Sequence, residues 1–153
     1  MPPLNLSISA LPGTRGIPRL RSNVLRACRL LHPPLRELSI ALVDDAQIKR
    51  LHLHFLGEGS VTDVLSFPLE LDRAGRVLSG EIVVCVPQAR RQARRLGTTL
   101  ADELLLYVLH GLLHLCGWDD RTAADFVAMH AQEDLILQRL GIGRVFAAPG
   151  EAP

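Results

Sequence analysis

Apolar and polar residues alternate with a period of two in two stretches of the chain. Residues 4–10 (LNLSISA) and 36–43 (RELSIALV) show this alternation, which is typical of strands with one buried and one solvated face. Two apolar runs at 64–71 and 80–86 are bounded by turn-forming residues, and the second is rich in β-branched residues, so we predict two further strands. The stretch 72-DRAG-75 predicts the turn between them.

In most of the remaining chain the apolar positions recur with the period of a helix. Apolar residues recur every three to four positions, and capping residues mark where helices begin. Five helices are predicted, at about 18–31, 44–56, 88–97, 100–116 and 122–140. Together these elements predict an α+β fold. We expect a single domain over residues 1–146, with a small mixed four-stranded sheet packed by about five helices, and a disordered tail at 147–153.

The composition bounds the class of protein. With 153 residues, 48% of them apolar, the chain has enough apolar side chains for one core. Its 17 basic and 16 acidic residues nearly cancel, so charge alone indicates no general affinity for nucleic acid. Three widely spaced cysteines without a CxxC pair favour free thiols in a reducing compartment. Because the chain shows neither a signal-peptide pattern nor a membrane-length apolar run, we expect a soluble cytoplasmic protein.

The helix at 100–116 carries leucines on every face, which is typical of a helix at the centre of a domain. Near its end, His110 and His114 lie four positions apart, so their imidazoles share one face in the arrangement that chelates divalent metals. The carboxylates of Asp119 and Asp120 follow as the chain turns back. Two histidines and one carboxylate would leave one coordination position open, as catalytic metal sites require. The spacing by itself also fits two core histidines satisfied by hydrogen bonds.

One familiar metal chemistry is disfavoured at this position. Zinc peptidases with an HExxH motif use a glutamate beside the first histidine as general base, and Gly111 occupies that place here. The chain also has no P-loop and no GxGxxG after a predicted strand. We therefore expect neither a peptidase of that type nor a nucleotide site of those two kinds.

Two further groups of polar residues are candidates for function. Glu133 falls on an apolar stripe of the last helix and needs a partner, either the ring N–H of a metal-binding histidine or a buried backbone group or arginine. Its neighbour His130 lies off that stripe, and we expect it on the surface. The stripe contains Phe126, Met129, Ile136, Leu137 and Leu140.

Four arginines share one face of the helix at 88–97, namely Arg90, Arg91, Arg94 and Arg95. They either bind RNA phosphates or form a solvated surface. Because the chain has few aromatic residues to stack on bases, we do not expect it to read bases.

Three ordered motifs resemble the YbeY endoribonuclease family. The run 110-HGLLHLCGWDD-120 fits the family signature H-G-x-L-H-L-x-G-[YFW]-D-H at ten of eleven positions, with Asp120 in place of the final histidine. The segments 62-TDVLSFPLE-70 and 80-GEIVVCVPQARRQA-93 resemble two further blocks of that family. The resemblance spans about residues 36–140.

This resemblance implies a fold, an activity and a site. The fold would be a small mixed sheet packed by helices. The activity would be that of a zinc-dependent endoribonuclease that cleaves single-stranded RNA and acts in small-subunit ribosomal RNA maturation and ribosome quality control. Single-stranded or ribosomal RNA, and with it the small ribosomal subunit, would be the partners. Matched position by position, His110, His114 and Asp120 would be the metal ligands, and Glu133, in the family's M-x-x-x-E, would orient a ligand.

Two departures from the family pattern open an alternative. Asp120 creates a set of two histidines and one carboxylate, which also suits iron or manganese. The family usually has an arginine thought to contact RNA phosphate at the position of Leu56, and His52 replaces an asparagine. The alternative is a ribosome-assembly or RNA-binding factor with the same fold but weakened or lost cleavage.

Overall fold

The computed structural model describes residues 3–57 and 63–143 as one α+β domain, which confirms the predicted fold class. In chain order the elements are β1 (Asn5–Ala10), α1 (Ile17–Leu31), β2 (Glu37–Val43), α2 (Asp45–Leu56), β3 (Val64–Leu71), β4 (Val77–Cys85), α3 (Val86–Leu96), α4 (Leu100–Leu115) and α5 (Ala123–Arg139). The predicted tail at 147–153 and the predicted domain boundary at 146 lie outside the described residues.

The elements begin and end close to their predicted residues, and two differences have local causes. β4 begins at Val77, three residues earlier than predicted, because its pairing with β3 continues back to the turn. The carboxylate of Asp72 stabilises that turn by accepting two backbone N–H groups at 2.9 Å. α3 begins at Val86, two residues earlier than predicted. Pro87 fits into the first helical turn, because the N–H groups of that turn make no hydrogen bond within the helix and proline lacks only such a group.

The sheet is mixed, as predicted, with the strand order β1-β2-β4-β3. β1, β2 and β4 are parallel, with Ile40 opposite Ile82. β3 is an antiparallel edge strand that places Val64 opposite Val84. The start of β3 and the carboxyl ends of the three parallel strands therefore lie at the same end of the sheet, where Asp63 leads into β3.

Helices cover both faces of the sheet, because side chains along a strand point alternately to either face. On one face, Ile82 and Val84 of β4 join the main core with residues of α1, α3, α4 and α5. On the other face, α2 covers a smaller apolar cluster of Val43, Ile48, Leu65, Val83 and Cys85.

α4 is the central helix, and all its leucines except Leu100 are buried. Two glycines allow it to pack closely on β4. A Cβ on Gly111 would lie 2.9 Å from Cγ2 of Ile82, and one on Gly80 would lie 2.7 Å from Cδ1 of Leu115. Any side chain at residue 111 would therefore be directed at β4, which gives a structural reason for the missing peptidase glutamate.

No single helix within residues 3–57 and 63–143 combines the length and apolar content needed to cross a membrane. α3 and α4 reach that length and content only together, as a pair bent by 118°. In this structure α4 is the buried helix of the core.

Candidate metal centre

The end of α4 turns the chain back toward its own histidines. Gly117, two residues beyond the last residue of α4, has a positive φ of 97°, a conformation that glycine adopts without steric penalty. The N–H of Trp118 donates to the carbonyl oxygen of Leu113 at 3.0 Å. The carboxylate of Asp119 accepts the backbone N–H of Asp120 at 2.8 Å. The loop thereby returns Asp120 to the helix.

Three side chains converge at this turn and form a triangle of candidate metal ligands: His110, His114 and Asp120. The Nε2 atoms of the two histidines are 3.1 Å apart. Oδ2 of Asp120 lies 3.3 Å from Nε2 of His110 and 3.5 Å from Nε2 of His114. Of the two aspartates that follow the helix, the structure places Asp120 beside the histidines and Asp119 on the backbone of the loop.

Hydrogen bonds direct the imidazole lone pairs into this triangle. Nδ1 of His110 lies 2.7 Å from Oε1 of Glu133, and Nδ1 of His114 lies 3.1 Å from the carbonyl oxygen of Trp118. A carboxylate and a carbonyl only accept hydrogen bonds, so Nδ1 carries the proton of each neutral ring. The two Nε2 lone pairs then face each other and the carboxylate of Asp120. Three acceptors at this distance repel one another unless a cation or a shared proton lies between them.

The triangle has the dimensions of a metal site. Zinc binds histidine nitrogen and carboxylate oxygen at about 2.0–2.2 Å, so two ligands of a tetrahedral ion lie about 3.3–3.5 Å apart. The observed separations of 3.1, 3.3 and 3.5 Å are close to these values, and three ligands leave a fourth position open. Two histidines and a carboxylate also suit iron or manganese. The residues present therefore fit a divalent transition-metal ion.

Glu133 is fully buried and contacts two histidines at once. Its carboxylate oxygens lie 2.7 Å from Nδ1 of His110 and 2.7 Å from Nδ1 of His130. Burial raises the pKa of Glu133, but the hydrogen bonds and charges of the two histidines outweigh it, and the pKa falls below its ordinary value. Burial lowers the pKa of His110, and the hydrogen bond and charge of Glu133 reverse this, so that the pKa is raised. The sequence left two kinds of partner open for Glu133, the ring N–H of a metal-binding histidine or a buried backbone group or arginine. The structure shows a hydrogen bond to the ring of His110.

His130 is not a surface residue, so the prediction from its position off the apolar stripe was wrong. Its side chain is 13% exposed and hydrogen-bonds to Glu133. Its ring stacks on that of His110, with 6.0 Å between ring centroids, and the ring of Phe126 packs edge-on against it at 4.1 Å. The three-residue spacing between His130 and Glu133, which puts both on one helical face, was the available signal.

A cavity of about 330 Å³ opens beside the triangle. His110 and Asp120 line it together with Asp63, Val64, Leu106, Tyr107, Phe126, His130 and Glu133. Phe126 is 42% exposed, unlike the other members of the predicted apolar stripe, which are buried. Asp63 was not predicted as a site residue. The available signal was its position in a connecting segment directly before a buried strand, where functional side chains are common.

The four arginines predicted to bind RNA are all exposed on α3. Arg91 pairs with both carboxylate oxygens of Asp45, at 2.8 and 3.1 Å, and Arg95 donates to a neighbouring glutamine. Within the described part of the chain, Arg90 and Arg94 make no hydrogen bond or ion pair. None of these four arginines is among the residues that line the cavity beside the triangle. RNA binding by these side chains stays a prediction.

The three cysteines are free, as the sequence predicts, and Cys116 is only partly buried. Burial raises the pKa of Cys28 to about 12 and that of Cys116 to about 11. Both therefore remain neutral thiols near neutral pH. Because metals bind the thiolate, neither is prepared to act as a ligand.

The fold and the triangle of two imidazoles and one carboxylate define a small α+β protein with a candidate site for a divalent metal. The family profile described as "Endoribonuclease YbeY" matches residues 17–141. This chain belongs to that family.

Relatives and a solved structure agree with this assignment. The chain is 42% identical over 123 residues to the Endoribonuclease YbeY of Gloeobacter violaceus, in an alignment that covers 76% of this chain and 62% of the relative. The chain thus spans less than two thirds of that relative's length. It is 44% identical over 117 residues to the Endoribonuclease YbeY of Moorella thermoacetica, covering 71% and 75% of the two chains.

The solution structure of TM1509 from Thermotoga maritima has a similar fold. It superposes with a TM-score of 0.59 at 27% sequence identity, covering 95% of this chain and 99% of that one. The fold described above is therefore similar to that of a solved protein.

Proposed function

We propose that this protein is a metal-dependent endoribonuclease that cleaves single-stranded RNA and acts in small-subunit ribosomal RNA maturation and ribosome quality control. The observation that carries the proposal is the triangle of His110, His114 and Asp120, in which three acceptor atoms lie within 3.5 Å of one another. The names of the family and of its curated members support the reaction class.

Zinc is the proposed metal, held by Nε2 of His110, Nε2 of His114 and Oδ2 of Asp120. A divalent ion there would activate a water molecule or polarise the scissile phosphodiester. Glu133 holds the His110 ring in place through Nδ1 and keeps Nε2 available as a ligand. Iron or manganese is the alternative occupant, because the donor set of two nitrogens and one oxygen suits them as well.

The geometry of the loop supports Asp120 as the third ligand. Aspartate is shorter than the histidine of the family signature, so the backbone must come closer to the helix. The positive φ of Gly117 and the hydrogen bond from the Asp120 N–H to Asp119 accompany that approach. The carboxylate of Asp120 consequently reaches both imidazoles directly.

We further propose single-stranded or ribosomal RNA and the small ribosomal subunit as partners, encountered in the cytoplasm. Arg90 and Arg94 support RNA binding, because both are exposed and neither has to break a contact within the described residues to reach a phosphate. The free state of all three cysteines supports a reducing compartment.

A ribosome-assembly factor with weakened or lost cleavage is the second candidate function. Leu56, at the position of the family arginine, is 58% exposed at the end of α2 and cannot pair with a phosphate. His52 is buried and does not offer a surface cation in its place. These two observations favour weakened cleavage by a protein with the same fold.

Cleavage of a single-stranded RNA separates the two candidates. The wild type is compared with Asp120→His, Leu56→Arg and the double variant, and with Val127→Ala as an exposed control. We expect the wild type to cleave the RNA and His114→Ala to be inactive. An inactive wild type together with an active double variant would favour the assembly factor.

Elemental analysis of the purified protein tests the metal itself. We expect about one equivalent of a transition metal in the wild type and a large loss in His114→Ala, because one of three ligands is removed. The measurement also identifies the metal as zinc, iron or manganese. A metal content equal in both proteins would contradict the proposed site.

A further inference from the structure

We propose that the cavity beside the metal triangle is a subsite for one unstacked base of the RNA, guanine by its hydrogen-bond donors, held between Phe126 and Asp63. This inference rests on the proposed function, since it assumes that the triangle acts on RNA. It revises the expectation that the chain does not read bases. That expectation came from the small number of aromatic residues, whereas the fold brings several ring-bearing side chains together at one cavity.

The cavity has a suitable size and position. Its volume of about 330 Å³ lies at the lower end of the range of about 300–1,000 Å³ typical of small-ligand sites. His110 and Asp120 form part of its wall, so a base inside it would belong to a nucleotide next to the phosphate at the metal. Val64, Leu106 and Tyr107 supply apolar and aromatic lining.

Phe126 offers a face for stacking. The ring is 42% exposed although it lies on the apolar stripe of α5. It is supported from one side by the edge-on contact with His130, whose own ring is held by Glu133 at 2.7 Å. Proteins that bind single-stranded RNA commonly stack splayed-out bases on phenylalanine or histidine rings. The ring therefore has both the exposure and the support that stacking needs.

Asp63 offers an acceptor for the edge of the base. Its backbone is fixed where β3 begins, because its carbonyl oxygen accepts the N–H of Cys85 at 3.0 Å. Within residues 3–57 and 63–143, no group donates a hydrogen bond to its carboxylate. A carboxylate accepts two parallel N–H bonds well, and guanine is the RNA base that presents two adjacent donors, N1–H and N2–H, on one edge. Adenine, cytosine and uracil do not present that pair.

Binding of nucleoside monophosphates to the purified protein tests this subsite without any phosphodiester bond to cleave. The phosphate is common to all of them, so differences in affinity measured by calorimetry report the base. We expect GMP to bind about tenfold more tightly than IMP, which lacks the N2 amino group, and more tightly than UMP.

Variants assign the two contacts. Phe126→Leu keeps an apolar side chain against His130 but removes the aromatic face, and should weaken GMP binding about five- to a hundredfold. Asp63→Asn should bring the affinities for GMP and IMP close together. Val127→Ala, next to Phe126 on α5 but outside the cavity, should bind GMP as the wild type does. Thermal unfolding confirms that each variant is folded.

Several outcomes would overturn the subsite. Equal affinities of the wild type for GMP, IMP and UMP would do so, as would an unchanged GMP affinity in Phe126→Leu. Loss of metal from Asp63→Asn would assign that carboxylate to the metal instead of to a base. Cleavage of RNA without base discrimination in nucleotide binding would remove the subsite and leave the proposed activity. Discriminating GMP binding by a protein that cleaves no RNA would remove the activity and leave the subsite.

Discussion

At the scale of single residues, Glu133 links the candidate metal site to the adjoining cavity. One oxygen of its buried carboxylate accepts from His110 in the metal triangle, and the other accepts from His130 in the cavity wall. Two charge-assisted hydrogen bonds at 2.7 Å compensate for the burial of the charge. The orientation of both rings therefore depends on one side chain of α5.

Glu133→Gln should lower metal affinity about 10- to 100-fold, because an amide holds and polarises a metal-binding imidazole less well than a carboxylate does. Competition with a chromophoric chelator measures this affinity. Glu103→Gln is the matched control, since Glu103 is equally buried but bonds to Thr98 at the other end of α4. An affinity unchanged in Glu133→Gln would show that the carboxylate does not act on the metal.

At the scale of the elements, the distance between α4 and β4 depends on two glycines. Gly111 and Gly80 let the helix lie against the strand, and the histidines one residue before and three after Gly111 consequently keep a fixed position relative to the sheet. α2 and α3, which pack on opposite faces of the sheet, are joined by the pair of Arg91 with Asp45. Both contacts join elements that lie far apart in the sequence.

Gly111→Ala should destabilise the protein by about 1–2 kcal/mol. Overpacking a core costs about 1–3 kcal/mol, and the better helix propensity of alanine recovers up to about 1 kcal/mol. The new Cβ meets the Cγ2 methyl group of Ile82, whose β-branched side chain has restricted rotation about χ1. Urea unfolding measures the change, and adding Ile82→Ala should make the double variant more stable than the sum of the two single changes predicts. A Gly111→Ala protein as stable as the wild type would contradict the close packing.

The pair of Asp45 and Arg91 should make stability depend on acid pH. Hydrogen bonds from Arg91 and from the Cys85 thiol lower the pKa of Asp45 from 3.8 to about 2. A lowered pKa means that the stabilisation is present above about pH 4 and is lost as the pH falls toward 2.

Urea midpoints of the wild type and Asp45→Asn, measured between pH 5 and pH 2, test this dependence. The wild type should lose its advantage over the variant as the pH falls, by a small amount because both side chains are partly exposed. Arg90→Gln, on the same helix but outside the pair, should follow the wild type. A difference between wild type and Asp45→Asn that is constant with pH would contradict the pair.

At the scale of the whole molecule, the charge balance is near zero, while the cavity at the candidate site is lined by Asp63, Asp120 and Glu133. A divalent cation would offset this local negative charge and would make the site accessible to the phosphates of RNA. We therefore expect the metal to stabilise the fold in addition to its proposed role in RNA cleavage.

Metal at about 100 times its dissociation constant should stabilise the fold by about 2.7 kcal/mol, since a preformed site binds only in the folded state. For a chain of this size that corresponds to a rise in Tm of about 5–10 °C. Differential scanning fluorimetry of the metal-free protein with and without zinc measures the shift. Asp120→Ala should abolish most of it, and Glu70→Gln, which removes an exposed carboxylate on β3, should not. An equal shift in wild type and Asp120→Ala would contradict ligation by Asp120.

The sequence by itself determined the elements and the pair of histidines on α4. Alternation, helical spacing and capping residues are local properties, so the helices and strands were predictable within a few residues. The four-residue spacing of His110 and His114 places them together in any helix. The side of the turn on which Asp119 and Asp120 fall was not predictable from their residue types, and the family signature was needed to choose Asp120.

Only the tertiary structure decided which side chains from other elements meet those histidines. Asp63 reaches the cavity from the residue before β3, and Phe126 reaches it from α5. His130 lies in the cavity wall because it hydrogen-bonds to Glu133. Periodicity assigns a residue to one face of its own helix or strand. What packs against that face depends on the arrangement of distant elements, and so does the burial, partner and pKa of each titratable group placed there.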